Sequence, residues 1–111
     1  MSQDTEAKIT EAWTLQRKGD NEGSARLFEQ VLAVRPEDVD AHYGLALAKR
    51  ASGEYQTATA SLQKALTISE ERLEELRGKT VDNDLATNRD DRYLMLIRMI
   101  KQRIVEVEAL K

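Results

Sequence analysis

The sequence predicts an all-α fold of about five helices, arranged as antiparallel helical hairpins stacked side by side. Two observations support this prediction. The 111 residues include one proline and five glycines and are rich in Ala, Leu, Glu, Gln, Lys and Arg, whose side chains lose little rotamer freedom in a helix. The N-terminal two-thirds of the chain also repeats itself with an offset of 34 residues, as helical-hairpin repeats do.

The internal repeat aligns small residues with small residues and bulky residues with bulky ones. Gly19 falls on Gly53, and Phe28 falls on Leu62. The other matched positions are Ala7 with Ala41, Ala12 with Ala46, Ser24 with Ala58, Val31 with Ala65, Leu32 with Leu66 and Val34 with Ile68. Two closely packed antiparallel helices require this alternation, because small side chains let the backbones approach and large ones fill the remaining gaps.

Each copy is predicted to contain a helix, a glycine-centred turn and a second helix. The predicted helices comprise residues 5–18, 21–34, 39–51 and 54 onward. Gly19 and Gly53 can adopt the left-handed conformation that ends a helix. Asp20 and Asp38 are placed to accept hydrogen bonds from the free N–H groups of the helices that follow them. Pro36 cannot continue a helix and therefore separates the two copies.

These residues resemble the tetratricopeptide repeat (TPR). The resemblance is carried in the second copy by Ala41, Leu45, Ala46, Gly53, Tyr55, Ala58, Leu62 and Ala65. It covers about residues 5–70 and implies a right-handed α-solenoid of antiparallel helical hairpins. We expect a single domain over residues 1–111, with a first repeat at 5–36, a second at 37–70, a helix extension and loop at 71–88, and a C-terminal helix at 89–111.

The end of the second repeat leaves two alternatives open. Glu70 replaces the closing proline of the repeat, and the helical spacing of apolar residues continues beyond Ile68. The helix either runs unbroken to Arg77, where Gly78 would cap it, or is followed by a short separate helix at 71–77. Residues 79–88 show no apolar period and are expected to form a loop. Thr87 and Asp90 then resemble a capping box that starts the last helix.

The C-terminal helix is more apolar than one buried face requires, since twelve of the eighteen residues from 93 to 110 are apolar. One face is expected to cover the last repeat and contains Tyr93, Leu96, Ile97, Ile100, Ile104 and Val107. Leu94, Met95 and Val105 lie on the opposite side together with Ala109. These residues either associate with a second copy of the chain or sit deeper in the monomer. Arg98, Lys101 and Arg103 argue against a membrane span.

The resemblance also implies a binding site. In TPR proteins the inner face of each first helix lines a concave groove that holds a peptide. The corresponding residues here are Ile9, Trp13 and Gln16 or Arg17 in the first copy, and Tyr43, Leu47 and Arg50 in the second. Alternatively, Trp13 and Tyr43 pack on each other or under the C-terminal helix. The Lys and Asn clamp with which some TPR domains grip a C-terminal carboxylate is absent, because Ile9, Trp13 and Gly44 occupy the matching positions.

Composition narrows the class of function. The net charge is −3 with mixed signs along the chain, so we expect neither nucleic acid nor a membrane as partner. Without cysteine and with His42 as the one histidine, no arrangement of catalytic or metal-binding groups is apparent, and we expect no enzyme activity and no cofactor. We expect a cytoplasmic module that binds a protein or peptide. The alternative is an assembly domain that homodimerises through its C-terminal helix.

Overall fold

The computed structural model describes residues 2–79 and 87–111, with side chains for residues 4–78 and 92–111. The described residues form five helices and no strand, which confirms the predicted all-α fold. The helices are α1 (Ser2–Arg17), α2 (Asn21–Val34), α3 (Val39–Ala51), α4 (Tyr55–Lys79) and α5 (Thr87–Leu110). The bounds of α2 and α3 are those predicted, whereas α1 begins three residues earlier than the apolar pattern indicated.

The turns and caps follow the predicted chemistry. Gly19 and Gly53 have φ angles of 91° and 81°, the left-handed conformation that glycine adopts without a Cβ clash. Asp20 accepts a hydrogen bond from the backbone N–H of Gly23 at 2.9 Å, at the start of α2. Asp38 accepts one from the N–H of Ala41 at 3.0 Å, at the start of α3. The sequence therefore specified both hairpins locally.

The helix after the second repeat is unbroken, which selects the first of the two alternatives. The prediction that Gly78 caps α4 is wrong, because α4 continues through Gly78 to Lys79. Packing supports this extension, since Leu73 of α4 and Ile97 of α5 are both buried. Residues 80–86 of the predicted loop, and the side chains of Thr87 and Asp90, lie outside the described residues.

Neighbouring helices pack in chain order, from α1 on α2 to α4 on α5. One apolar core joins α1, α2 and α3 around Phe28, and a second joins α3, α4 and α5 around Leu62 and Ile100. The small residues of the repeat, Ala12, Ser24, Ala46 and Ala58, are fully buried, as close helix packing requires. Because α5 packs on α4 as α3 packs on α2, it occupies the position of the first helix of a third hairpin.

The two repeats approach each other closely at Gly44 of α3. A Cβ atom on Gly44 would lie 2.5 Å from Cε2 of the Phe28 ring, well inside van der Waals contact. The side-chain amide of Gln16 in α1 donates a hydrogen bond to the Gly44 carbonyl at 3.3 Å. The absence of a side chain at residue 44 therefore allows α3 to lie directly against both helices of the first hairpin.

The face of α5 predicted to cover the last repeat does so. Ile97, Ile100 and Val107 are buried, and Leu96 and Ile104 pack against the second core. None of the helices in the described part of the chain has an apolar stretch long enough to cross a membrane.

We predict that Gly44→Ala destabilises the fold by about 1–3 kcal/mol, because the added methyl group overlaps a ring that is fully buried and cannot move aside. Gly78→Ala is the matched control. A Cβ on Gly78 meets nothing within 4 Å inside α4, so this variant should gain about 0.5–1 kcal/mol from helix propensity. Urea unfolding followed by circular dichroism measures both. Equal stability of Gly44→Ala and wild type would contradict the close approach.

Candidate protein-binding groove

An open cavity of about 600 Å³ lies between α1, α3 and α5. Helices α1 and α3 are the first helices of the two hairpins. Three aromatic rings, from Trp13, Tyr43 and Tyr93, contribute to its lining. The remaining lining residues are Glu37, Asp38, Val39, Asp40, Arg72, Arg92, Leu96 and Met99. The cavity lies beside the N-terminal half of α3 and does not include Leu47 or Arg50 of the predicted inner face.

Trp13 is held at the cavity by contacts with two helices. Its ring meets the Phe28 ring edge-on, with 5.1 Å between centroids and 75° between planes. Its indole Nε1 donates a hydrogen bond to Oδ2 of Asp40 at 3.2 Å. Edge-to-face packing and a satisfied indole N–H are what a partly buried tryptophan needs. Trp13 therefore links α1 to α3 and still presents part of its ring to the cavity.

A polar contact joins α3 to α5 next to the cavity. Arg103 Nε donates a hydrogen bond to the Tyr43 hydroxyl at 3.1 Å, and its Nη1 lies 2.9 Å from Oε1 of Glu106. The hydrogen bond from Arg103 lowers the pKa of Glu106, and the positive charge of Arg50 acts in the same direction. Arg103 thus joins α5 to Tyr43 of α3, and Arg50 in the C-terminal half of α3 acts on the same pair through its charge.

Most charges at the cavity are already compensated. Glu37 lies 3.2 Å from Arg72. The hydrogen bond from Arg72 to Glu75 is the main reason that the pKa of Arg72 is raised, and the charge of Glu37 adds to it. Asp38 caps α3 and lies 3.5 Å from Arg35. Asp40 is exposed and, within the described residues, pairs with no cation.

Two of the six predicted groove residues, Trp13 and Tyr43, line the cavity. Ile9 is buried in the first core, and Arg17 is exposed with its guanidinium bonded to Thr14. Leu47 and Arg50 are half-buried and are not among the residues that line the cavity. The alternative interpretation holds in part, because Tyr43 contacts the C-terminal helix through Arg103, whereas Trp13 packs on Phe28 and not on Tyr43.

Sequence reasoning missed the contribution of α5 to the cavity. Tyr93 and Leu96 were assigned only to the face that covers α4, and Met99 to neither face. The 34-residue spacing relates Trp13 to Leu47, but the same spacing relates Tyr43 to Arg77, which lies in α4. The repeat period therefore could not identify which residues of α5 face the cavity. Asp40 could not be recognised as a site residue from the sequence, because an acidic residue in the first turn of a helix also stabilises that helix.

We predict that Arg103→Gln raises the pKa of Glu106 toward its ordinary value, since the main cause of its lowered pKa is lost. In the wild type this pair stabilises the fold above the ordinary pKa of 4.5, and the contribution disappears as the pH falls through the lower folded-state pKa. Carbon-13 NMR titration of the glutamate carboxyls measures it. Glu108 is the internal control, because its lowered pKa depends chiefly on Lys111. An unchanged Glu106 titration would exclude the bridge.

Comparison with known proteins agrees with the helical-hairpin architecture. No curated protein matched the chain. The sequence model of the tetratricopeptide repeat matches residues 9–72, which is more than half of the chain and includes α2, α3 and most of α1 and α4. Tetratricopeptide repeats are a non-catalytic scaffold fold and are generally protein–protein interaction modules. The chain belongs to the tetratricopeptide repeat family.

Proposed function

We propose that this chain binds a peptide segment of a partner protein in the cavity between α1, α3 and α5. The observation that carries the proposal is the concentration of Trp13, Tyr43 and Tyr93 around one open space of about 600 Å³. Ligand sites in proteins have volumes of about 300–1,000 Å³ and are lined mainly by apolar and aromatic groups with a few polar ones. The cavity is therefore of a size to take two or three side chains of a peptide.

The apolar part of the cavity supports the same proposal. Leu96 is half-buried and Met99 is 42% exposed, and both line the cavity from α5. Binding is stabilised when a partner removes exposed apolar and aromatic side chains from water. Aromatic residues commonly contribute most of the binding free energy of an interface. Methionine adapts to ligand side chains of different shapes because it is unbranched. Apolar contact then provides most of the affinity.

We predict that the double variant Tyr93→Ser, Met99→Ser lowers the affinity for groove-binding peptides about tenfold, because it removes about 1–2 kcal/mol of apolar contact. Dodecapeptides selected from a random phage-displayed library on the wild type serve as probes, and the change in Trp13 fluorescence reports binding. Val34→Ser is the matched control, since Val34 is 67% exposed but lies on α2 outside the cavity. Selected peptides that bind the double variant as tightly as the wild type would refute the groove.

We propose further that the chain has no catalytic activity of its own and acts in the cytoplasm. His42, the one histidine, has its Nε2 hydrogen-bonded to the backbone carbonyl of Pro36 at 2.8 Å. This contact supports a structural role, because it ties α3 to the turn before it. The absence of cysteine from the sequence is compatible with a reducing compartment. Loss of a measured turnover on replacement of His42 would contradict the first statement.

A second function, self-association through α5, is favoured by a separate observation. Six large apolar side chains are exposed in the described part of the chain, and five of them lie on α5. Met95 and Val105 are 65% and 64% exposed, and Leu94 is 38% exposed on the same side of the helix. Exposed apolar side chains on one side of a helix can form an association surface. A second copy of α5 could cover it in an isologous dimer.

We predict that the wild type sediments as a concentration-dependent dimer and that Leu94→Glu, Val105→Glu sediments as a monomer. The two carboxylates would be buried in the dimer without a positively charged partner, and this free-energy penalty is larger than the stabilisation from the apolar contact. Val34→Glu is the control, because it adds a charge at an equally exposed valine outside α5. Monomeric sedimentation of the wild type at all concentrations would exclude this second function.

A further inference from the structure

We propose that the peptide bound in this cavity carries an arginine or lysine side chain and that Asp40 selects it. This inference rests on the proposed groove and specifies the chemistry of its ligand. The selecting site is the corner of the cavity where Asp40 of α3 meets Trp13 of α1. A basic side chain flanked by apolar residues fits both the charge and the lining of this corner.

The charges of the cavity leave one carboxylate without a counter-ion. Glu37 is paired with Arg72, and Asp38 is occupied by the Ala41 N–H and Arg35. Asp40 receives a hydrogen bond only from the neutral indole of Trp13, and no cation of the described chain lies within ion-pair distance. A ligand cation next to Asp40 would supply the missing partner, and charge complementarity of this kind selects the correct ligand.

The geometry of the pair holds Asp40 ready for a ligand. The Trp13 indole N–H engages Oδ2 at 3.2 Å, which restrains the carboxylate and leaves Oδ1 for another donor. Trp13 is itself restrained by the fully buried Phe28 ring, 5.1 Å away between centroids. A site whose acceptor is already oriented loses less conformational entropy on binding.

The aromatic lining favours a cation over a neutral donor. Trp13, Tyr43 and Tyr93 line the same space as Asp40. The negative faces of aromatic rings attract ammonium and guanidinium groups, with tryptophan the strongest of the three residue types. The long aliphatic part of an arginine or lysine side chain can also pack on these rings while its charge reaches the carboxylate.

Two features of the cavity act against a cation: the arginines that line it, and the positive end of the α3 dipole, in whose first turn Asp40 itself lies. Arg72 is held between Glu37 and Glu75, and Arg92 enters the cavity from α5, whereas Asp40 and Trp13 enter it from α3 and α1. The positive end of the α3 dipole is capped by Asp38. Because Arg72 and the N-terminus of α3 already have carboxylate partners, Asp40 is the carboxylate of this lining that is left for a ligand cation.

Peptide selection on charge variants tests the inference. Random dodecapeptides selected on the wild type are expected to share an arginine or lysine next to apolar residues. Asp40→Asn should weaken a selected peptide about tenfold, whereas Asp40→Glu should keep the preference. Selection on Asp40→Lys should enrich aspartate or glutamate at the same position. Glu29→Gln is the control, because Glu29 is an exposed carboxylate of α2 outside the cavity.

The outcomes separate this inference from the groove itself. If selected peptides depend on Tyr93 and Met99 but share no basic residue, or bind Asp40→Asn as tightly as the wild type, the cation site is refuted and the groove stands. If no selected peptide depends on Tyr93 and Met99, the groove is refuted and the cation site with it. Thermal unfolding by circular dichroism establishes that each Asp40 variant is folded.

Discussion

The contact between Phe28 and Gly44 is the constraint on which the rest of the structure depends. The Phe28 ring fills the space that a side chain at residue 44 would need, so α3 can lie directly on the first hairpin. Only at this separation does the Gln16 amide reach the Gly44 carbonyl and the Trp13 indole reach Asp40. Because the interior is close-packed, a shift of α3 would break these contacts together.

The inner face of the stack is divided by the way α5 docks. Arg103 of α5 bridges the Tyr43 hydroxyl of α3 and Glu106, and Arg50 in the C-terminal half of α3 helps to lower the pKa of Glu106. Toward the N-terminal end of α3 nothing comparable joins the two helices within the described residues, and the cavity remains open. Tyr43 belongs to both the bridge and the cavity, since its ring lines the cavity while its hydroxyl accepts the hydrogen bond from Arg103. The docking of α5 thus sets the length of the groove.

The last helix combines three environments that its composition alone does not separate. One side, including Ile100 and Val107, is buried on α4, and an adjacent side contributes Tyr93 and Met99 to the cavity. The outward side keeps Met95 and its neighbours in water. In the described part of the chain, α5 takes the position of a third hairpin's first helix, and no further helix packs on its outward side. Its excess of apolar residues follows from that place in the stack.

The sequence by itself determined the repeat, the bounds of α2 and α3, both aspartate caps and the small positions between helices. These features depend on neighbouring residues along the chain or on the 34-residue period, and both can be identified from the sequence alone. Tertiary structure decided that Gly78 stays inside α4, that α5 completes the cavity, and that Leu47 and Arg50 lie outside it. These outcomes depend on how α5 docks against α3 and α4, and the repeat period does not extend to α5.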